Sequence, residues 1–157
     1  MKRLLLVLWA LATFGCSHSV QTNPVAAVAD YGLKVTQIAQ SLQHALIDAE
    51  AQGVVSADKI KEPMRYSILL GRKVQELADA LTAIDKLPVG DLSRASKLEQ
   101  AGVLLGAANE LVFHLASPID DPTLRGTIMD LAAQISNLLI TIGRYVPVLV
   151  APAGAPA

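Results

Sequence analysis

Ser56-Ala57-Asp58-Lys59 has the S-x-x-K spacing of serine acyl-enzymes, in which a lysine stands one helical turn after a nucleophile. Its companion elements S-D-N and K-T-G are missing, and a four-residue match arises often by chance. Ser56 also stands where a helix needs an N-cap, and that reading prevails. The three histidines offer little more. His18 precedes any periodic segment, and His44 falls with Gln37, Gln40 and Asp48 opposite an apolar seam. His114 follows Glu110 by one turn, the wrong spacing for the Glu-x-x-His pair of di-iron bundles, and it suits a helix C-terminus. A haem bundle with Met and His ligands would need one of each facing inward, and only Met64 does so clearly. No phosphate loop, HExxH, CxxC, GxSxG or CxxCH occurs. The sequence therefore reads as non-enzymatic, without metal or other cofactor.

Cys16 is the remaining reactive side chain and the only cysteine. It ends a leader in which Lys2 and Arg3 precede an uncharged run over residues 4–15. A membrane-spanning helix needs about 20 apolar residues, so the run fits a secretory signal rather than a permanent anchor. Two cleavage sites compete. Ala10-Leu11-Ala12 is a small-x-small site but leaves a core of only residues 4–9. Thr13-Phe14-Gly15-Cys16 resembles the lipobox of bacterial lipoproteins, matching at Gly15 and Cys16 and departing at Thr13 and Phe14. The resemblance implies removal of residues 1–15, acylation of Cys16 and attachment to a membrane. Ser17 in second place implies sorting to the outer membrane of a double-membraned bacterium. A lone cysteine that carries lipid also needs no disulfide partner in an oxidising compartment. Residues 16–24 read as a polar tether.

Without Lys2 and Arg3, eleven basic residues face fourteen acidic ones, a mature net charge of −3. With no basic patch and few rings, nucleic-acid binding is excluded as a reading. Behind the tether one pattern repeats four times. Val28, Tyr31, Val35, Ile38, Leu42, Ala45 and Ala49 are spaced alternately 3 and 4, the seam of a helix packed on another helix. Met64, Leu70, Val74, Leu77, Leu81 and Ile84 form a second line, in which Pro63 predicts a kink or restart. Leu98, Gly102, Leu105, Ala108, Val112 and Leu115 form a third, capped by Asp91 or Ser93. Leu124, Ile128, Leu131, Ile135, Leu138, Ile142 and Tyr145 form a fourth, opened by Asp121-Pro122. Asn23-Pro24 opens the first helix, and Gly53 stops it. Short connections favour antiparallel neighbours, so the expected fold is all-α, an up-down-up-down bundle of four helices over residues 25–146. Residues 147–157, rich in proline and alanine, read as a disordered tail.

Two features stand out from this scaffold. Six glycines fall inside the predicted helices, where each costs about 1 kcal/mol relative to alanine. Gly102 and Gly106, one turn apart, are read as a site of close helix approach. Charge is also unevenly shared. The second helix carries eleven charged residues over 57–86, whereas residues 124–146 carry only Arg125, Asp130 and Arg144. The outer line of the fourth helix therefore presents Asp130, Gln134, Asn137, Thr141 and Arg144, the last four as a candidate interaction face, and residues 35–47 of the first carry no Lys, Arg, Asp or Glu. Weakly charged helix faces suit contact with protein. The sequence points to an exported, lipid-anchored binding module, with self-association or an envelope protein as partner. The alternative is a carrier or sensor of a small apolar ligand, with room left by Ala45, Ala49, Gly102 and Ala108.

Overall fold

A computed structural model describes residues 24–88 and 90–146. The leader, Cys16, the tether, the cap at Asn23 and the tail lie outside the described residues. Four helices follow in order: α1 (Pro24–Ala51), α2 (Ala57–Asp85), α3 (Ser93–His114) and α4 (Pro122–Tyr145). Each packs on its neighbours in sequence, and α4 returns to α1 to close a four-helix bundle. Contacts between helix ends give the antiparallel course. The rings of Tyr31 and Tyr145 lie 6.1 Å apart, and those of Tyr66 and His114 lie 5.4 Å apart. Lys59, at the start of α2, pairs with Asp120 before α4 at 3.0 Å.

The turns are built by the residues that their geometry demands. Gly53, at φ 71°, donates its N–H to Glu50 O, and Val54 donates to Ala49 O, both at 2.9 Å. These two bonds satisfy the last carbonyls of α1 in a Schellman motif. Gly90, at φ 93°, takes the left-handed position in the turn that Asp91 N–H closes on Pro88 O. Of the two candidate caps for α3, Asp91 serves: its carboxylate accepts from the Ser93 backbone N–H at 2.8 Å and hydroxyl at 2.6 Å. Asp121 caps α4 by accepting from Leu124 N–H at 2.7 Å, with Pro122 following it. Ser56 occupies the N-cap position of α2, but its side chain makes no capping bond.

The core takes its large side chains from α1, α2 and α4, among them Leu42, Leu46, Leu70, Leu77, Leu81, Ile84, Ile128, Ile135, Leu139 and Ile142, while α3 contributes the smaller Ala101, Ala108 and Val112. Its alignment differs from the sequence seams in a systematic way. On α1 the fully buried partners of Val35 and Leu42 are Ala39 and Leu46, while Tyr31, Ile38 and Ala45 are half-buried. On α4 Leu139 is buried, and Leu131, Leu138 and Tyr145 are half-buried. Each helix has an apolar face wider than one seam, because it touches two partners. One flank points at the bundle axis; the other meets the neighbouring helix at the rim. On α3 the inner line runs through Ala101, not Gly102, which is exposed. Pro63 neither stops nor restarts α2, which runs through it unbroken. It removes only the ladder bond to the Lys59 carbonyl, on an exposed first turn where water can replace it. Pro63 and Ser67 are buried there, and the Ser67 hydroxyl donates to Met64 O at 2.8 Å, while Met64 itself is half-buried.

Candidate interaction site

α4 is flanked by two surface grooves. The first, of about 470 Å³, runs between α1 and α4. Ile38, Leu131 and Leu138 supply its apolar walls, and these are the half-buried flank residues displaced from the axis. Around them stand Lys34, Gln37 and Ser41 from α1 and Gln134, Asn137 and Thr141 from α4. Three of the four residues singled out on the outer line of α4 thus come together with α1. Arg144, the fourth, is exposed beyond the groove.

The polar groups of this groove differ in availability. Thr141 donates its hydroxyl to Asn137 O at 2.8 Å, and Ser41 donates to Gln37 O at 3.1 Å. Both hydroxyl protons are therefore spent on the helix backbone. Lys34 is held by Asp30 at 2.7 Å and lies 5.3 Å from the centre of the Tyr31 ring. The side-chain amides of Gln37, Gln134 and Asn137 make no hydrogen bond among the described residues, so each offers a free donor and acceptor. At one end of the α1–α4 contact, partial burial raises the Tyr145 phenol from its ordinary 10.0, with Tyr31 adding to the effect. The arrangement suits hydrogen bonding around an apolar centre and holds no nucleophile beside a base.

The second groove, between α3 and α4, is lined by Val112, Phe113, Ala116, Met129, Ala133 and Ser136, with Arg125 and Ser117 at one end. Sequence reasoning missed it. Phe113 and Met129 lie off the apolar seams and are exposed, and that displacement was the available signal. The glycine pair on α3 does not bring helices together: a Cβ at Gly102 or Gly106 would meet nothing within 4 Å. Close approach occurs elsewhere. A Cβ at Gly143 would lie 3.0 Å from Leu105 Cδ2, and one at Gly32 would lie 3.4 Å from Val74 Cγ1.

The residues considered for chemistry are scattered. Ser56 is exposed, and Lys59 is engaged with Asp120, whose carboxyl that hydrogen bond holds below its ordinary 3.8. His44 is exposed, and His114 ends α3 beside Tyr66. Among the described residues no three His, Cys, Asp or Glu side chains gather as a metal site. No helix among them is long and apolar enough to cross a membrane. No family model, curated protein or solved structure matches this chain.

Proposed function

We propose that the chain is an exported binding module of the cell envelope, held to a membrane by lipid on Cys16 and acting without catalysis. Its working surface is the α1–α4 groove, with Gln134, Asn137 and Thr141 on one wall and Arg144 beyond it. The observation that carries this reading is the pairing of three unspent side-chain amides with an apolar centre, two of them on α4, the helix with the fewest charges. Interfaces between proteins combine such an apolar centre with a polar rim, and charged residues are depleted at their core. A segment of an envelope protein laid along this groove would bury Ile38, Leu131 and Leu138 and take hydrogen bonds from the amides.

The test places charge where contact would remove water. Asn137→Glu or Thr141→Lys should weaken partner capture strongly, since a buried unpaired charge costs several kcal/mol. Both positions lie outside the buried core, so helicity should be unchanged. Gln75→Lys, exposed on α2, is the control and should have no effect. Native pull-down from membranes measures the outcome, and identical capture by all three variants would reject this surface.

A further inference from the structure

We propose, on the reading of Cys16 as a lipid anchor, that the α2–α3 turn is a membrane-docking tip that seats the bundle upright on an anionic phospholipid surface. Three contacts place the turn. A Cβ at Gly32 would lie 3.4 Å from Val74 Cγ1, so α1 and α2 are level there. In the same way Leu105 stands level with Gly143, and Tyr31 with Tyr145. At about 1.5 Å per residue from these levels, the end of α2 at Asp85 and the start of α3 at Ser93 reach one height. That height is about 5 Å beyond the start of α1 and about 15 Å beyond the end of α4. The α2–α3 turn is therefore the extremity of the bundle, at the end where the chain arrives from Cys16.

Hydrogen bonds fix the course of this turn. Gly90 takes φ 93°, Asp91 N–H donates to Pro88 O, and the Asp91 carboxylate accepts from Ser93. Arg94 Nη1 donates to Leu87 O at 2.7 Å. Leu92, held in this frame, is 94% exposed, more than any other large apolar side chain among the described residues. Its side chain neither caps nor packs. Pro88 in the same turn is exposed as well. Lys86 and Lys97 flank the turn in sequence and form no ion pair among the described residues. An apolar side chain flanked by cations suits the boundary between headgroups and acyl chains.

Tether length and charge name the occupant. Cys16 to Pro24 is a step of eight residues, which span at most about 29 Å. The α1 helix alone is about 42 Å long, so a lipid on Cys16 cannot bring the opposite end to the bilayer with the bundle upright. Charge selects the same end. Taken to the helix midpoints, the half of the bundle nearer the tether carries seven basic and six acidic side chains, and the far half carries four and eight. A net charge of +1 near the tether and −4 away from it turns this tip toward an anionic surface. The contact need not be strong, because the tether makes it intramolecular. Upright seating also leaves the α1–α4 groove, which begins at Lys34 and Thr141, about 20 Å above the tip and open to the side.

Tryptophan quenching tests the proposal. The full chain is purified from its own host and reconstituted in phosphatidylcholine–phosphatidylglycerol vesicles whose brominated acyl chains quench a ring inserted among them. Trp9 is the only tryptophan, so Trp9→Phe makes one introduced reporter the sole emitter. Leu92→Trp should lose most of its emission, and Gln52→Trp, exposed in the turn at the far end, should lose none. Because tryptophan favours interfaces by itself, Ala95→Trp in the first turn of α3 repeats the measurement with Leu92 in place. It should be quenched, and Leu92→Asp, or Lys86→Glu with Lys97→Glu, should remove most of that quenching. Intact mass reports the anchor separately. If Cys16 is bare, the anchor reading falls, and coupling its thiol to a maleimide-headgroup lipid lets the same comparison decide the docking. No quenching at position 92 overturns the proposal and leaves the bundle clear of the membrane. Equal quenching at 92 and 52 overturns it and lays the bundle on its side. Quenching of Ala95→Trp that ignores both Leu92→Asp and the charge reversals overturns it equally.

Discussion

Replacing Gly143 tests how α4 is aligned on α3. An alanine Cβ there would stand 3.0 Å from Leu105 Cδ2, tighter than ordinary contact by a few tenths of an ångström. Glycine to alanine inside a helix gains about 1 kcal/mol. Moving the end of the half-buried Leu105 side chain takes back part of it, so Gly143→Ala should change stability by less than about 0.5 kcal/mol. Gly71→Ala is the reference, because a Cβ there meets nothing within 4 Å. It should keep the full gain, raising Tm by about 4 °C for a bundle of this size. Gly143→Val adds two further carbons and a β-branch at the same contact, and should cost about 1–3 kcal/mol. Thermal melts followed by far-UV circular dichroism measure all three. If Gly143→Ala stabilises as much as Gly71→Ala, and Gly143→Val is harmless, Leu105 does not stand opposite Gly143.

Four other outcomes are expected. Ile135→Ala or Leu81→Ala, each emptying a fully buried site, should cost about 2–5 kcal/mol in denaturant melts. Asp121→Ala should cost about 1 kcal/mol, because it frees the Leu124 N–H, whereas Ser56→Ala should cost far less, its hydroxyl making no cap bond. Asp91 is held below its ordinary 3.8 chiefly by the Ser93 hydroxyl, so it binds a proton less readily folded than unfolded. Its stabilising contribution is thus full above about pH 4 and lost as pH falls through its folded value, and Asp91→Asn should flatten part of that acid loss in melts from pH 2.5 to 6. Cys16→Ser should release the protein from membranes, and the intact mass of the native protein should begin at Cys16 with acyl chains attached. Unchanged fractionation would count against the anchor.

The bundle was legible because its signal is periodic and repeated. Recurring spacings of 3 and 4 marked four helices, and Gly53, Asp91 and Asp121 marked their ends by chemistry specific to caps and turns. What spacing could not decide was which flank of a wide apolar face points at the axis. Val35 and Leu42 lie in the seam either way, but choosing between Ile38 and Ala39 requires knowing where α4 stands. The same ambiguity displaced Leu138 in favour of Leu139. It also hid the groove, since Ile38, Leu131 and Leu138 form its floor only because they sit at the rim. Gly102 and Gly106 misled for a related reason: a glycine pair shows where backbones could meet, not whether a neighbour comes. The weakly charged outer line of α4 was visible in the sequence, and the fold joins Gln134, Asn137 and Thr141 to Gln37 and Ser41 of α1. Phe113 and Met129 were missed because single apolar residues off a seam are common on surfaces, and only the fold sets them side by side.

The α1–α4 groove is the proposed protein-binding surface. A photo-crosslinking amino acid at position 137, in protein expressed in its own host, decides this. A discrete adduct with one envelope protein is expected from position 137, matched from position 134 and absent from position 75 on α2. No adduct at 137, or the same adducts at 75, would contradict it.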